Sequence, residues 1–516
     1  MIRLGAARTV RRDHDEQRVW GHASPRSWSP EYAQPMVPAK GDPDIMTEAE
    51  EKPSPFATAA ELSAALRQGG TTSAAIIRRA LDRAAAHEPA LHAFVEIFGE
   101  AALAAAGAAD DRRARGAPLG PLDGIPFAVK DLFHIEGHLT SAGSKALAAT
   151  PAATTANAVR RLCAAGMIPL GKAHTVEFAF GGWGTNPVLG TPLNPRDRAV
   201  PRAPGGSSSG SGVAVAAGLV PAALGTDTGG SVRNPATMCG VVGLKTSVGL
   251  IGRGGLLPLA TSFDSIGPLT RSVEDAALLL SALQGRDPDD PATFGVTGPD
   301  PLRHLGDGVT GLHLRVPSER DLGTVEADVL RLFRAAVEQL ATLGVEVEER
   351  AMPRRPEEYM ATTGDMMAAE SWHHLREHVE SETSIVHPAV RARILRGRTI
   401  DGARYQELLV ARRAAQIELH RYLDGADALL TPTAPIFAPP LEGIDETKTP
   451  LGTFTRMVNL MDMAALSVPI GLAGGLPASL QIVVRRFDDA VALRIGRALE
   501  VARGGLFEPP AGFETP

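Results

Sequence analysis

Short apolar runs alternate with glycine-, proline- and serine-rich breaks along this chain, and the spacing of the apolar positions sorts the runs into helices and strands. The first regular pattern begins at Thr58. Thr58-Ala-Ala-Glu61 has capping-box spacing, with a hydroxyl first and a glutamate three residues on. Glu61, Leu62, Ala65 and Leu66 follow at helical spacing, Gly69-Gly70 stops the helix, and Thr71-Thr72-Ser73 offers hydroxyls for the next N-cap. Ile77, Leu81 and Ala84 then share one helical face. Ile125-Pro126-Phe127-Ala128-Val129 is a continuous apolar run that reads as a short buried strand with Lys130 at its end. Arg271 to Asp275 reads as an N-cap before an apolar helix from Ala276 to Leu283. Residues 285–307, rich in proline, aspartate and glycine, read as a long surface connection. Leu312–Val316 is a strand, Val329, Phe333, Val337 and Leu340 mark a helix ending at Gly344, and a further strand starts at Val345. This β-α-β run predicts a mainly parallel sheet. Residues 354–424 are mostly helical and polar.

Two loops stand apart from this pattern. Gly205-Gly206-Ser207-Ser208-Ser209-Gly210-Ser211-Gly212 and Gly225-Thr226-Asp227-Thr228-Gly229-Gly230-Ser231 flank one segment of small apolar residues. Glycines let both loops turn sharply, so two distant serine hydroxyls can be held side by side. A serine hydroxyl is a weak nucleophile and needs a base beside it. A lysine at the end of an apolar strand ordinarily snorkels to water. If Lys130 is buried instead, its pKa falls and it can serve as that base. Ser208 formally sits in G-x-S-x-G, but a nucleophile elbow needs a strand running into it, and residues 194–204 are polar and proline-broken. No Gly-Lys-Ser/Thr closes the glycine run, so a phosphate loop does not fit. Gly210-Ser-Gly212 lacks the third glycine of a dinucleotide fingerprint. His134 and His138 stand four apart across Gly137, a poor zinc helix. His174, Glu177 and the Phe178–Gly184 segment read as a loop suited either to lining a pocket or to plain packing.

Composition narrows the classes. The chain has 516 residues, 44% of them hydrophobic, enough for a large core. A net charge of −7 and aromatics at 4% do not favour nucleic acid or an anionic membrane as a partner. Two cysteines, Cys163 and Cys239, exclude a disulfide framework and point to a reducing cytoplasm. No apolar run reaches the length of a membrane span, and Arg11-Arg12 precedes no apolar stretch that would make a signal. Residues 1–54 mix arginine, acids, proline and serine without periodicity and are expected to be disordered. Met46 opens a stretch that reads like a native N-terminus.

Gly205–Ser208, Gly225–Arg233, Cys239–Lys245 and Gly124–Asp131, four separated blocks, resemble the amidase signature family. The likeness runs from about Pro55 to the C-terminus and includes Leu429–Pro435, which looks like the family's late strand. Asn459, Ser467-Val468-Pro469 and Gly475–Gln481 match its final block. Ser209 and Thr246 depart from it, where glycine and proline are usual. The resemblance implies one α/β domain over 55–516, with a mixed, mainly parallel, twisted sheet covered by helices on both faces. Region 354–424 would be the variable part that roofs the pocket. It also implies roles: Ser231 as nucleophile, Ser207 as a bridging hydroxyl after a cis peptide bond, and Lys130 as base, without cofactor or metal. The amides of Thr228, Gly229, Gly230 and Ser231 can converge as an oxyanion hole, and Asp227 and Arg233 read as structural partners.

The function implied first is a free-standing amidase that turns a small-molecule amide into acid and amine through a seryl ester. Partners such as nucleic acid or membrane are not expected, and a homodimer is compatible. The second reading is the glutamine-hydrolysing component of an aminoacyl-tRNA amidotransferase. Glutaminase members usually carry an aspartate where this chain has Gly452, and Asn-Leu-Ala-Gly-Leu-Pro where it has Asn459–Ala464. A carbamate or urea-type (urethane, allophanate-like) hydrolase of the same family is a further alternative. A binding protein without catalysis is disfavoured by the intact Lys130, Ser207 and Ser231.

Overall fold

The computed structural model describes residues 53–147 and 150–514. The stretch expected to be disordered therefore lies outside the described residues, apart from Pro53 and Ser54. Ser54 already belongs to the fold, its carbonyl accepting from the Ala57 N–H at 2.9 Å.

Local signals act where the sequence places them. Thr58 caps the helix Ala59–Gln68: its Oγ1 accepts from the Glu61 N–H at 3.1 Å, and Glu61 Oε2 accepts from the Thr58 N–H at 2.8 Å. Thr72 caps Ser73–Leu91, and Ser272 caps Val273–Leu283. Region 354–424 holds the helices Met360–Val379, Pro388–Arg396 and Gly402–Tyr422. The connection at 285–307 is pinned more firmly than a surface loop, because Asp290 is buried against Arg253 at 2.8 Å.

Eleven strands form one sheet. They are β1 (Phe94–Ile97), β2 (Pro126–Lys130), β3 (Ile168–Ala173), β4 (Ala222–Asp227), β5 (Val242–Lys245), β6 (Ser265–Thr270), β7 (His313–Pro317), β8 (Glu346–Arg350), β9 (Ala428–Pro432), β10 (Ala464–Ala473) and β11 (Leu476–Val484). Their order is β1-β3-β2-β4-β6-β5-β10-β11-β9-β7-β8. The sheet is mixed, as expected, but not mainly parallel. Parallel pairing is confined to two wings, β3-β2-β4 and β9-β7-β8, while the pairs joining them are antiparallel. The physical reason lies in the connections. The β-α-β run seen in the sequence builds the β7-β8 pair and a second crossover, through the helix Asn157–Ala164, builds β2-β3, whereas the tight hairpin from β10 to β11 can only make an antiparallel pair.

Side chains alternate across the sheet with period two. Phe127 and Val129 of β2 enter a core with the helices Ala59–Gln68, Val273–Leu283 and Asp489–Arg503, whereas Ala128 faces Val213–Ala217 on the other side. Leu430, Leu466 and Ile482 join the first core, while Leu429, Ala465 and Val483 pack under the helices of 360–422. Helices thus cover both faces, as expected.

Candidate active site

Lys130 closes β2 and is fully buried. Its Nζ lies 2.8 Å from Ser207 Oγ and 2.7 Å from Thr226 Oγ1. Among the described residues no carboxylate stands at ion-pair distance from it. Lys172 on the neighbouring strand shows the contrast: also buried, it contacts Asp131 at 2.6 Å. Burial without a paired anion pushes the Lys130 amine down to about 7, against the weaker upward pull of Asp227 and Asp264.

Ser207 precedes the helix Ser209–Ala216, and the Gly206–Ser207 peptide bond is cis. Its carbonyl accepts from the Val176 N–H at 3.1 Å and from Thr175 Oγ1 at 3.0 Å. Ser231 sits just before the helix Arg233–Cys239. The two serine loops are tied by the Ser208 N–H, which donates to the Ser231 carbonyl at 3.2 Å. The Ser231 hydroxyl forms no hydrogen bond among the described residues, and Ser231 lines a partly open cavity. Ser208, the elbow candidate, is fully buried, with its hydroxyl spent on the Thr226 backbone at 3.3 Å.

The loop that carries Ser231 is braced from beneath. Asp227 contacts Arg233 at 2.8 Å, both side chains being fully buried. Asp227 also accepts from the N–H groups of Gly230 and Val232 at 2.9 and 3.1 Å, and from Asn459 Nδ2 at 2.9 Å. Burial works to raise this carboxyl, yet the Arg233 charge and these donors hold it well below the usual carboxylate range. Arg233 reaches on to Gln481 Oε1 at 2.7 Å and Asn459 Oδ1 at 2.6 Å. Gly230 has φ 124°, and a Cβ there would lie 2.4 Å from Thr455 Oγ1, so only glycine fits.

Of the four amides expected to converge, Gly230's is spent on Asp227. Those of Thr228, Gly229 and Ser231 have no partner among the described residues, and Gly229 and Ser231 line the cavity. The Thr228 hydroxyl donates to Asp264 at 2.6 Å, and burial raises that carboxyl to about 6. The segment Ala179–Trp183 lines the cavity, as do Met367 and Arg393 from region 354–424.

Sequence reasoning passed over three neighbours of the site: Thr226, Asp264 and Arg456. Arg456 left a signal. It is the only charged residue between Leu451 and Met461, and it stands on a cavity wall.

The fold sets a buried lysine beside one serine and a second serine at the edge of a cavity, an arrangement that suits a hydrolase. A family model described as Amidase matches residues 75–493. The chain belongs to this family, the amidase signature enzymes, which hydrolyse amide C–N bonds. The A subunit of the glutamyl-tRNA(Gln) amidotransferase of Chloroflexus aurantiacus is 36% identical over 471 residues, covering 86% of this chain and 96% of the relative. A solved structure described as a vestigial protein complex revealing the evolutionary origins of an s-triazine catabolic enzyme is 32% identical, with a TM-score of 0.82. It covers 88% of this chain and 100% of its own. The native peptide amidase of Stenotrophomonas maltophilia is 29% identical with a TM-score of 0.77, covering 89% and 99%. No helix among the described residues is long and apolar enough to cross a membrane.

Proposed function

We propose that this chain hydrolyses small amides through a seryl ester, with Ser231 as nucleophile, Ser207 as proton relay and Lys130 as base. The observation that carries this reading is the buried Lys130 amine, 2.8 Å from Ser207 Oγ and without a carboxylate partner. In its neutral form Lys130 takes the Ser207 proton while Ser207 takes that of Ser231. The Ser231 oxygen attacks the amide carbonyl carbon, and the resulting oxyanion sits against the Gly229 and Ser231 amides. The proton returns along the same path to the leaving nitrogen, the C–N bond breaks, and an amine departs. Water then repeats the sequence on the ester and releases the carboxylate. The Ser207–Ser231 contact closes when substrate is bound, since such hydrogen bonds are commonly slack in free enzymes.

Whether this unit works alone is a finer question. Likeness to curated relatives supports the glutamine-hydrolysing component of an amidotransferase more than the free-standing amidase that the sequence implied first. The cavity favours the free-standing enzyme: Gly452, on its wall, offers no carboxylate for the ammonium group of glutamine. We therefore keep the free-standing amidase as our reading and the amidotransferase component as the second. Steady-state hydrolysis by the purified chain across simple amides, anilides, carbamates and glutamine separates them. Turnover of simple amides without tRNA, ATP or a partner chain supports the first, and glutamine as the best substrate supports the second.

A further inference from the structure

The cavity above Ser231 contains an arginine with nothing to pair with. Arg456, on the short helix Thr455–Leu460, makes no hydrogen bond or ion pair among the described residues. Its neighbour Arg393 is satisfied, donating to the Phe180 carbonyl at 2.6 Å and to Glu446 Oε2 at 3.1 Å. Arg456 is only partly exposed, and it borders the cavity. Its stem passes the nucleophile loop: a Cβ on Gly229 would lie 3.5 Å from Arg456 Cγ. Its Nε would lie 2.9 Å from a Cβ on Gly452, so the absence of a side chain at 452 is what gives the guanidinium room. Among the described residues lining this cavity there is no aspartate or glutamate. Glu446, close by, is engaged by Arg393 and Thr185.

A guanidinium held in a small cavity without a counter-ion is costly unless a ligand supplies one. Its planar fork of donors matches a carboxylate. Burial, with Arg393 and Arg396 nearby, draws its pKa down to about 10, which leaves it charged at neutral pH.

We propose that the substrate is a short amide bearing a carboxylate remote from the scissile bond, held by Arg456, and lacking an ammonium group. This rests on the amide-hydrolase reading above and narrows it to an anionic substrate class. The carboxylate docks on Arg456 beside Gly229, so the amide carbonyl is brought to Ser231. A zwitterion such as glutamine also carries a carboxylate, but its ammonium group finds no acidic partner on the wall.

Two measurements test this. Turnover is compared for succinamate, glutaramate and adipamate, the uncharged butyramide and valeramide, and L-glutamine. Binding of glutaramate is measured separately by calorimetry on Ser231→Ala, where no chemistry intervenes. The expectation is a kcat/KM preference of about tenfold or more for the best carboxylate amide over its neutral counterpart, as for a hydrogen-bonded charge. That preference collapses towards unity in Arg456→Met and is partly kept in Arg456→Lys. Glutaramate binding weakens by about tenfold or more when Arg456→Met is added to Ser231→Ala, and glutamine binds less tightly than glutaramate. Neutral amides hydrolysed as well as anionic ones, or a preference untouched by Arg456→Met, would overturn the proposal while leaving amide hydrolysis intact. Arg456-dependent binding without turnover of any amide would support the anion site and count against the hydrolase reading.

Discussion

Replacing Lys130 by methionine should abolish activity and make the protein more stable at neutral pH. The cause is burial. A lysine amine at 10.5 in the unfolded chain falls to about 7 in the fold, so at pH 7 keeping it buried costs about 4 kcal/mol. Methionine has similar length and no charge. It gives up the contacts to Ser207 and Thr226, about 1 kcal/mol each, so the net gain at pH 7 is about 2 kcal/mol. The sign of the pH dependence follows from proton counting. Between about 7 and 10.5 Lys130 binds more protons in the unfolded chain than in the folded one, so its contribution to wild-type stability rises with pH in that window. The advantage of Lys130→Met should shrink by about 3 kcal/mol from about pH 7 to about pH 9.5. Other buried groups are common to both proteins and cancel in the difference. Urea unfolding of both proteins at the two pH values gives the comparison. A variant less stable than wild type at pH 7, or a difference that does not change with pH, would refute the claim that Lys130 is buried as a depressed, unpaired amine.

The same amine sets a rate profile. For wild type, kcat/KM should climb through about pH 7 as Lys130 loses its proton, and Lys130→Ala should lose both the rate and that limb. Lys130→Arg should not rescue, because arginine stays charged; a wild-type profile flat from about pH 5.5 to about 8.5 would contradict lysine as the base. Asp227→Asn keeps the shape beneath the Ser231 loop but leaves Arg233 buried without its anion. It should destabilise by about 3–5 kcal/mol, and an unfolding midpoint equal to wild type would show that the pair does not brace the loop.

How far the sequence foretold this molecule depended on range. The Thr58–Glu61 box and the Thr72 and Ser272 caps are contacts within three residues, and each formed where its pattern stood. The pattern alone showed a lysine ending an apolar strand and serines framed by glycines; the roles of Lys130, Ser207 and Ser231 came with the resemblance to the amidase signature family. The central antiparallel strands were not legible, since β10 meets β5 across more than 200 residues of chain. Thr226 was hidden for the same reason: it reaches Lys130 only because β4 lies beside β2. Gly230 was placed among the converging amides on its freedom to turn. That freedom instead points its N–H at Asp227, a partner that a loop pattern alone does not reveal.

Labelling with a fluorophosphonate followed by peptide mass spectrometry, on wild type and single serine variants, tests most directly whether Ser231 is the nucleophile. A single adduct is expected on Ser231, and none in Ser231→Ala, whose activity should fall by several orders of magnitude. Labelling should be slow in Ser207→Ala and Lys130→Ala and near normal in Ser208→Ala. An adduct on Ser208, with Ser231→Ala still hydrolysing amides, would contradict the assignment.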